Sequence, residues 1–113
     1  MMTSIRTGFL AACVAAAFAA PVAQAQDVKG NAEAAKNKIS MCIGCHEIAG
    51  YHTAFPKVYH VPKIGGQQPV YLMNALKAYK TGERKHPSMN AIAASLSEQD
   101  MADLAAYYSK DPK

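Results

Sequence analysis

The chain has 113 residues, half of them hydrophobic, with 12 Lys and Arg against 8 Asp and Glu for a formal net charge of +4. That length sets one domain as the starting expectation. The charge excess is too mild for a nucleic-acid-binding surface, so DNA and RNA are not expected partners, and three cysteines are too few for a disulfide-built scaffold.

Residues 1–25 read as a leader rather than as part of the fold. Arg6 gives a short positive start, FLAACVAAAFAA (Phe9 to Ala20) is an uncharged apolar run, and Pro21 breaks it. Ala23-Gln24-Ala25 then forms an A-x-A cleavage pattern, which completes the form of a secretory signal peptide. The apolar run is shorter than the roughly 20 residues a membrane-spanning helix needs. LAAC (Leu10 to Cys13) also resembles a lipoprotein cleavage box, but more apolar sequence follows Cys13 than precedes it. Cleavage after Ala25 and release into the periplasm is therefore the expectation, and lipid anchoring through Cys13 the weaker reading.

The expected mature domain is 26–113. Losing the leader removes Arg6 and no acidic residue, which leaves 88 residues with a net charge of +3. A chain that short buries only about 60–65% of its unfolded surface. Cys42 and Cys45 alone remain to pair, and a disulfide between them would close a loop too small to add much. Something besides side chains should complete this core.

In chain order, Asp27 to Met41 reads as a helix, because Ala32, Ala35, Ile39 and Cys42 recur three or four apart. It runs straight into MCIGCHEI. Glu47 to Gln68 carries Gly50, Pro56, Pro62, Gly65 and Gly66 without helical period and reads as loop. A loop that long in so small a domain is expected to wrap something. Pro69 then stands where a first helical residue belongs. Val70, Leu72, Met73, Leu76 and Tyr79 form the apolar face behind it, and Gly82 is the stop. Glu83 to Asn90, with Pro87, reads as a second irregular stretch. Ser97-Glu98-Gln99-Asp100 resembles a capping box with Asp in place of Glu. Met101, Leu104, Ala105 and Tyr108 follow at the spacing of an amphipathic helix. No stretch alternates like a strand, so the fold class is all-α.

Three chemistries use a Cys-x-x-Cys pair. A thioredoxin-like dithiol needs the pair at the start of a helix between strands, and here it follows a helix with strands absent. A zinc site could join Cys42 and Cys45 to His52 and His60, but it leaves His46 without a role. Covalent haem attachment uses all three residues: two thiols add across the haem vinyl groups, and the adjacent imidazole of His46 becomes the proximal iron ligand. A large apolar disc would also supply the missing core.

For the other axial position the mature chain offers Met41, Met73, Met89 and Met101, with His52, His60 and His86 as rivals. Met41 directly precedes Cys42. Met73 and Met101 fall on apolar helix faces, where methionine is usually core filling. Met89, in HPSMNAI, falls between helices, where a thioether can be held towards the iron. A thioether ligand favours reduced iron and raises the potential, which suits an electron carrier.

The combination CIGCH, PKIGGQ, YLMNALKAYKTGER, HPSM and LSEQDMADLAAYYS, in that order, resembles a class I c-type cytochrome of the small bacterial periplasmic kind, whose domains also occur duplicated in dihaem proteins. The resemblance covers nearly all of the mature chain. It implies a cytochrome c-like fold of three to five short helices around one covalently bound haem c, with Cys42 and Cys45 as thioether residues, His46 as proximal ligand and Met89 as distal ligand. It also implies that the Pro62 carbonyl accepts the Nδ1–H of His46, and that the first and last helices cross near the haem with Ala35 and Tyr108 in contact. The stretch GYHTAFPKVYHVP is longer than the family's usual loop, which makes Pro56 a rival to Pro62 and leaves His52, His60 and His86 as rivals to Met89.

The resulting expectation is a monomeric, periplasmic, one-electron carrier with transient redox protein partners, among them membrane respiratory complexes. With both axial positions filled, it would not be an enzyme. Lys57, Lys63, Lys77, Lys80, Arg84 and Lys85 are candidates for a salt-sensitive docking face. The alternatives are a haem subunit of a larger oxidoreductase and a ligand-binding haem protein with a labile distal site.

Overall fold

The computed structural model describes residues 28–54 and 58–110. The leader 1–25 with Cys13, and the loop residues Pro56 and Lys57, lie outside the described residues. In chain order the elements are α1 (Ala32–Ala35), α2 (Ser40–His46), β1 (His52–Thr53), β2 (Tyr59–His60), α3 (Pro69–Thr81), α4 (Pro87–Ala94) and α5 (Glu98–Tyr108). The expected helical class holds.

The expected helix 27–41 is instead two short ones. It begins only at Ala32, where the Asn31 side chain caps it by accepting from the N–H groups of Glu33 and Ala34. At Ala35 one carbonyl takes the N–H of both Lys38 and Ile39, and Cys42 bonds three residues back to Ile39. These tightened turns interrupt the helix and bring Lys38 within 2.5 Å of Asp100 and 2.8 Å of Asp103 on α5. A periodicity count cannot weigh that tertiary bond. The cysteine pair consequently lies inside α2 rather than after a helix.

Two further expectations are corrected. The loop 47–68 contains an antiparallel ladder pairing His52 with His60 and Thr53 with Tyr59. Strands of two residues are too short for alternation to register. The stretch 83–90 is irregular only to His86, because Pro87 starts α4 as the first helical residue, the same role Pro69 plays in α3. Met89 therefore sits in the first turn of a helix.

The core is organised on α5. Its capping box forms in full, with the Ser97 hydroxyl meeting the Asp100 N–H and the Asp100 carboxylate accepting from the Ser97 N–H. Met101, Leu104, Ala105 and Tyr108 are buried against Ala35, Leu72 and Leu96. Met73 packs against this cluster from α3. On the N-terminal side, the approach is so close that a Cβ at Gly30 would overlap the Ala102 carbonyl. Asp103, 2% exposed, lies at this crossing. It accepts from the Asn31 N–H at 2.8 Å, from Gln99 Nε2 at 2.8 Å and from Lys38. Burial pushes the Asp103 carboxyl up, but those three donors together outweigh it and hold the group below its ordinary value.

Candidate functional site

A cavity of about 400 Å³ opens between α2, the 51–67 segment, α3, α4 and α5. Cys42, Cys45 and His46 all line it. They occupy i, i+3 and i+4 of α2, which share one helix face. Ile43, between the cysteines, is 37% exposed and does not line the cavity. The two-residue gap in CIGCH thus turns both thiols and the imidazole to one side. Burial pushes the Cys42 thiol up, partly offset by the Tyr108 hydroxyl beside it.

His46 Nδ1 lies 2.7 Å from the Pro62 carbonyl oxygen. A carbonyl can only accept, so Nδ1 carries the proton and Nε2 keeps its lone pair. A histidine held this way is fixed in tautomer and ring direction. Its rival Pro56 lies outside the described residues.

Met89 lines the same cavity from α4, and the start of that helix is pinned by Asn90. The Asn90 side-chain Nδ2 donates to the Tyr79 carbonyl at 2.6 Å and the Arg84 carbonyl at 2.8 Å, while its Oδ1 accepts the His86 N–H at 2.8 Å. One side chain therefore ties the end of α3 to the start of α4, beside Met89. Sequence reasoning missed Asn90. The available signal was an Asn directly after the candidate ligand and four residues after a potential N-cap, a placement suited to bonding backbone.

The other candidates separate clearly. Met101 is buried core, 1% exposed, and neither it nor Met73 lines the cavity. Met41, His60 and His86 do line it, whereas His52 does not. Tyr108 lines it too, while Ala35 is buried in the core without reaching it. The zinc alternative fails, because among the described residues no three His, Cys, Asp or Glu side chains gather to hold an ion. Of the basic residues, Lys63, Arg84 and Lys85 line the cavity. Lys77 instead pairs with Glu98 at 2.5 Å, and Lys80 donates to the Leu96 carbonyl.

The donor set and the lining both fit a haem. Two thiols and an imidazole with a free Nε2 share one face, and most of the wall is apolar. One polar atom at the wall, His86 Nδ1, is buried without a hydrogen-bond partner among the described residues. Buried polar atoms left unpaired are costly, so a group that accepts or fills there is implied. Burial pushes the Tyr108 hydroxyl well up, so it stays protonated and able to donate.

Residues 28–110 match the cytochrome c family, and the chain belongs to that family. It is a small c-type cytochrome, an electron carrier with covalently attached haem c. It is similar to cytochrome c-554(548) of Halomonas halodenitrificans, with 41% identity over 83 residues that make up 71% of this chain and 95% of the relative. Cytochrome c4 of Pseudomonas aeruginosa is 35% identical over 79 residues, 70% of this chain and 37% of that one. The thiosulfate dehydrogenase electron acceptor of Thiomonas intermedia is 32% identical over 77 residues, 68% of this chain and 34% of its own length. The chain thus spans nearly all of the first relative and little more than a third of the other two.

Proposed function

We propose that the chain is exported on residues 1–25 and works in the periplasm as a monomeric one-haem carrier, with domain 26–113 holding the haem through Cys42 and Cys45 and ligating its iron with His46 and Met89. The observation that carries this reading is that His46, with its proton held on Nδ1 by the Pro62 carbonyl, shares one cavity with both thiols and Met89. When bound, haem c supplies a site that takes up and releases one electron. The chain's own residues fix it and exclude water. α2 presents the two thiols, Pro62 orients the proximal imidazole, and Asn90 steadies the helix start that carries the thioether. Among the described residues no helix is long and apolar enough to cross a membrane. Lys63, Arg84 and Lys85, beside the exposed Tyr59 and Tyr71, suit a weak docking face for an acidic redox partner.

His60 and His86 on the same cavity support a second reading, in which the distal position is labile or histidine-bound and the protein serves as a haem subunit or ligand-binding protein. The name of the Thiomonas relative favours service to an oxidoreductase. Absorption spectra of the oxidised protein separate the two. Methionine ligation predicts a weak long-wavelength band that disappears in Met89→Ala, together with poor carbon monoxide binding by the reduced wild type. Strong carbon monoxide binding, with a spectrum unchanged in Met89→Ala, would overturn the carrier reading.

A further inference from the structure

The segment from Gly50 to Val61 has no task in the haem reading beyond supplying wall. Its strands are two residues each, and an isolated hairpin that short is marginal in water. The register sets His52 directly opposite His60. The Val61 N–H donates to the Tyr51 carbonyl at 2.9 Å, which makes 51–61 a hydrogen-bonded pair. The next pair, 52–60, is therefore the non-hydrogen-bonded kind, where facing side chains come closest. The two imidazole centroids are 4.6 Å apart, and both residues are exposed. His52 Nδ1–H donates to the Gly50 carbonyl at 2.8 Å, which leaves its Nε2 lone pair free. A backbone carbonyl on the other ring nitrogen is the support that metal-bound histidines carry. His46 has the same support from Pro62.

We propose that His52 and His60 form a two-imidazole site for a divalent cation of the zinc or nickel type, with water completing its coordination. Since no third His, Cys, Asp or Glu side chain joins them among the described residues, the site is a modest-affinity surface clip rather than a closed structural centre. Its effect is local. An ion bridging the strands fastens the hairpin whose His60 lines the cavity, adding a cross-strand bond to a ladder that has few of its own.

The test is calorimetric titration of Zn(II) into the oxidised holoprotein, compared with His52→Ala, His60→Ala and the double variant. Saturable one-to-one binding is expected. Each single variant should weaken it by at least about tenfold, the lower end of what even indirect ligand supports cost, and the double variant should do no further harm. Zn(II) should also slow amide hydrogen exchange at Val61, whose N–H closes the ladder. The haem spectrum of His52→Ala should match the wild type, showing that the loss is not one of folding. Failure to saturate at millimolar Zn(II) would overturn the proposal. So would wild-type affinity in the double variant, or a loss confined to one histidine. The proposal rests on Met89, not His60, holding the distal position, and a haem spectrum unchanged in His60→Ala checks that separately from zinc binding.

Discussion

Where the segment Gly30–Ala35 crosses α5, a buried carboxylate takes three donors, a glycine lies where no side chain fits, and Ala35 is fully buried. In the 51–61 hairpin, by contrast, Val58 is 75% exposed and His52, Tyr59 and His60 all face solvent. The crossing joins the first described helix to α5 through burial and satisfied charge. The hairpin is local and borders the cavity. Stability is thus concentrated at that crossing, away from the hairpin. Residues on one side of this division should tolerate change that residues on the other do not.

The largest effect is expected where the two regions depend on a common group. Replacing Cys42 and Cys45 together by Ser should abolish covalent haem attachment, read as haem extractable into organic solvent. Cooperative thermal unfolding by circular dichroism should also be lost, because among the described residues the buried apolar core is only nine side chains, four of them alanine. Next is Gly30→Ala, whose methyl must displace backbone at Ala102. Overpacking of this kind costs about 3 kcal/mol, and about 4–8 °C in Tm is expected for each kcal/mol in a domain of this size. Gly82→Ala is its control. Gly82 caps α3 at φ 81° with open space around it, so only the left-handed conformation is penalised, by about 1 kcal/mol.

Asp103→Asn should cost about 1–3 kcal/mol, because buried donors lose a charged acceptor. It should also change the pH profile. Hydrogen bonds from Lys38 and Ser97 hold Asp100 well below the ordinary carboxylate range, and Asp103 is lowered as well. Groups with lowered native values contribute stability that is complete above about pH 3.9 and lost as the pH falls through those lowered values. Asp100 and then Asp103 raise Lys38, so its contribution is complete below about pH 10.4 and lost as the pH rises through its raised value. Acid denaturation followed by circular dichroism should therefore be shallower in Asp103→Asn than in the wild type. On the other side of the comparison, Val58→Ser should change stability by no more than about 0.5 kcal/mol, read from its Tm. A large loss there would show that the hairpin carries more of the fold than its exposure implies.

The sequence made the strongly local features legible. The first-turn proline and terminal glycine of α3 and the capping box and apolar face of α5 each rest on residues within a few positions of one another. The features it hid are long-range or small. Asn31 fell inside the helical period read over 27–41, so its side-chain bonds to the Glu33 and Ala34 N–H groups and its backbone bond to Asp103 were both hidden. Pro87 carried the same signal as Pro69, but the eight residues of α4 gave little period to confirm it. The pairing of His52 with His60 comes from a ladder too short to alternate. At the site, the residue types announced a haem, while Asn90 became visible only as a hydrogen-bond partner.

The bond from Asn31 to Asp103 also sets an order in time. Its partners stand 72 positions apart, so a chain delivered from its N-terminal end offers the first helix and the CIGCH thiols long before α5 exists to cover them. Until α5 arrives, Gly30 has no Ala102 carbonyl to approach and the Asn31 N–H no Asp103 to meet. The thiols stay open throughout that interval, and α5 then supplies one wall of the cavity they line.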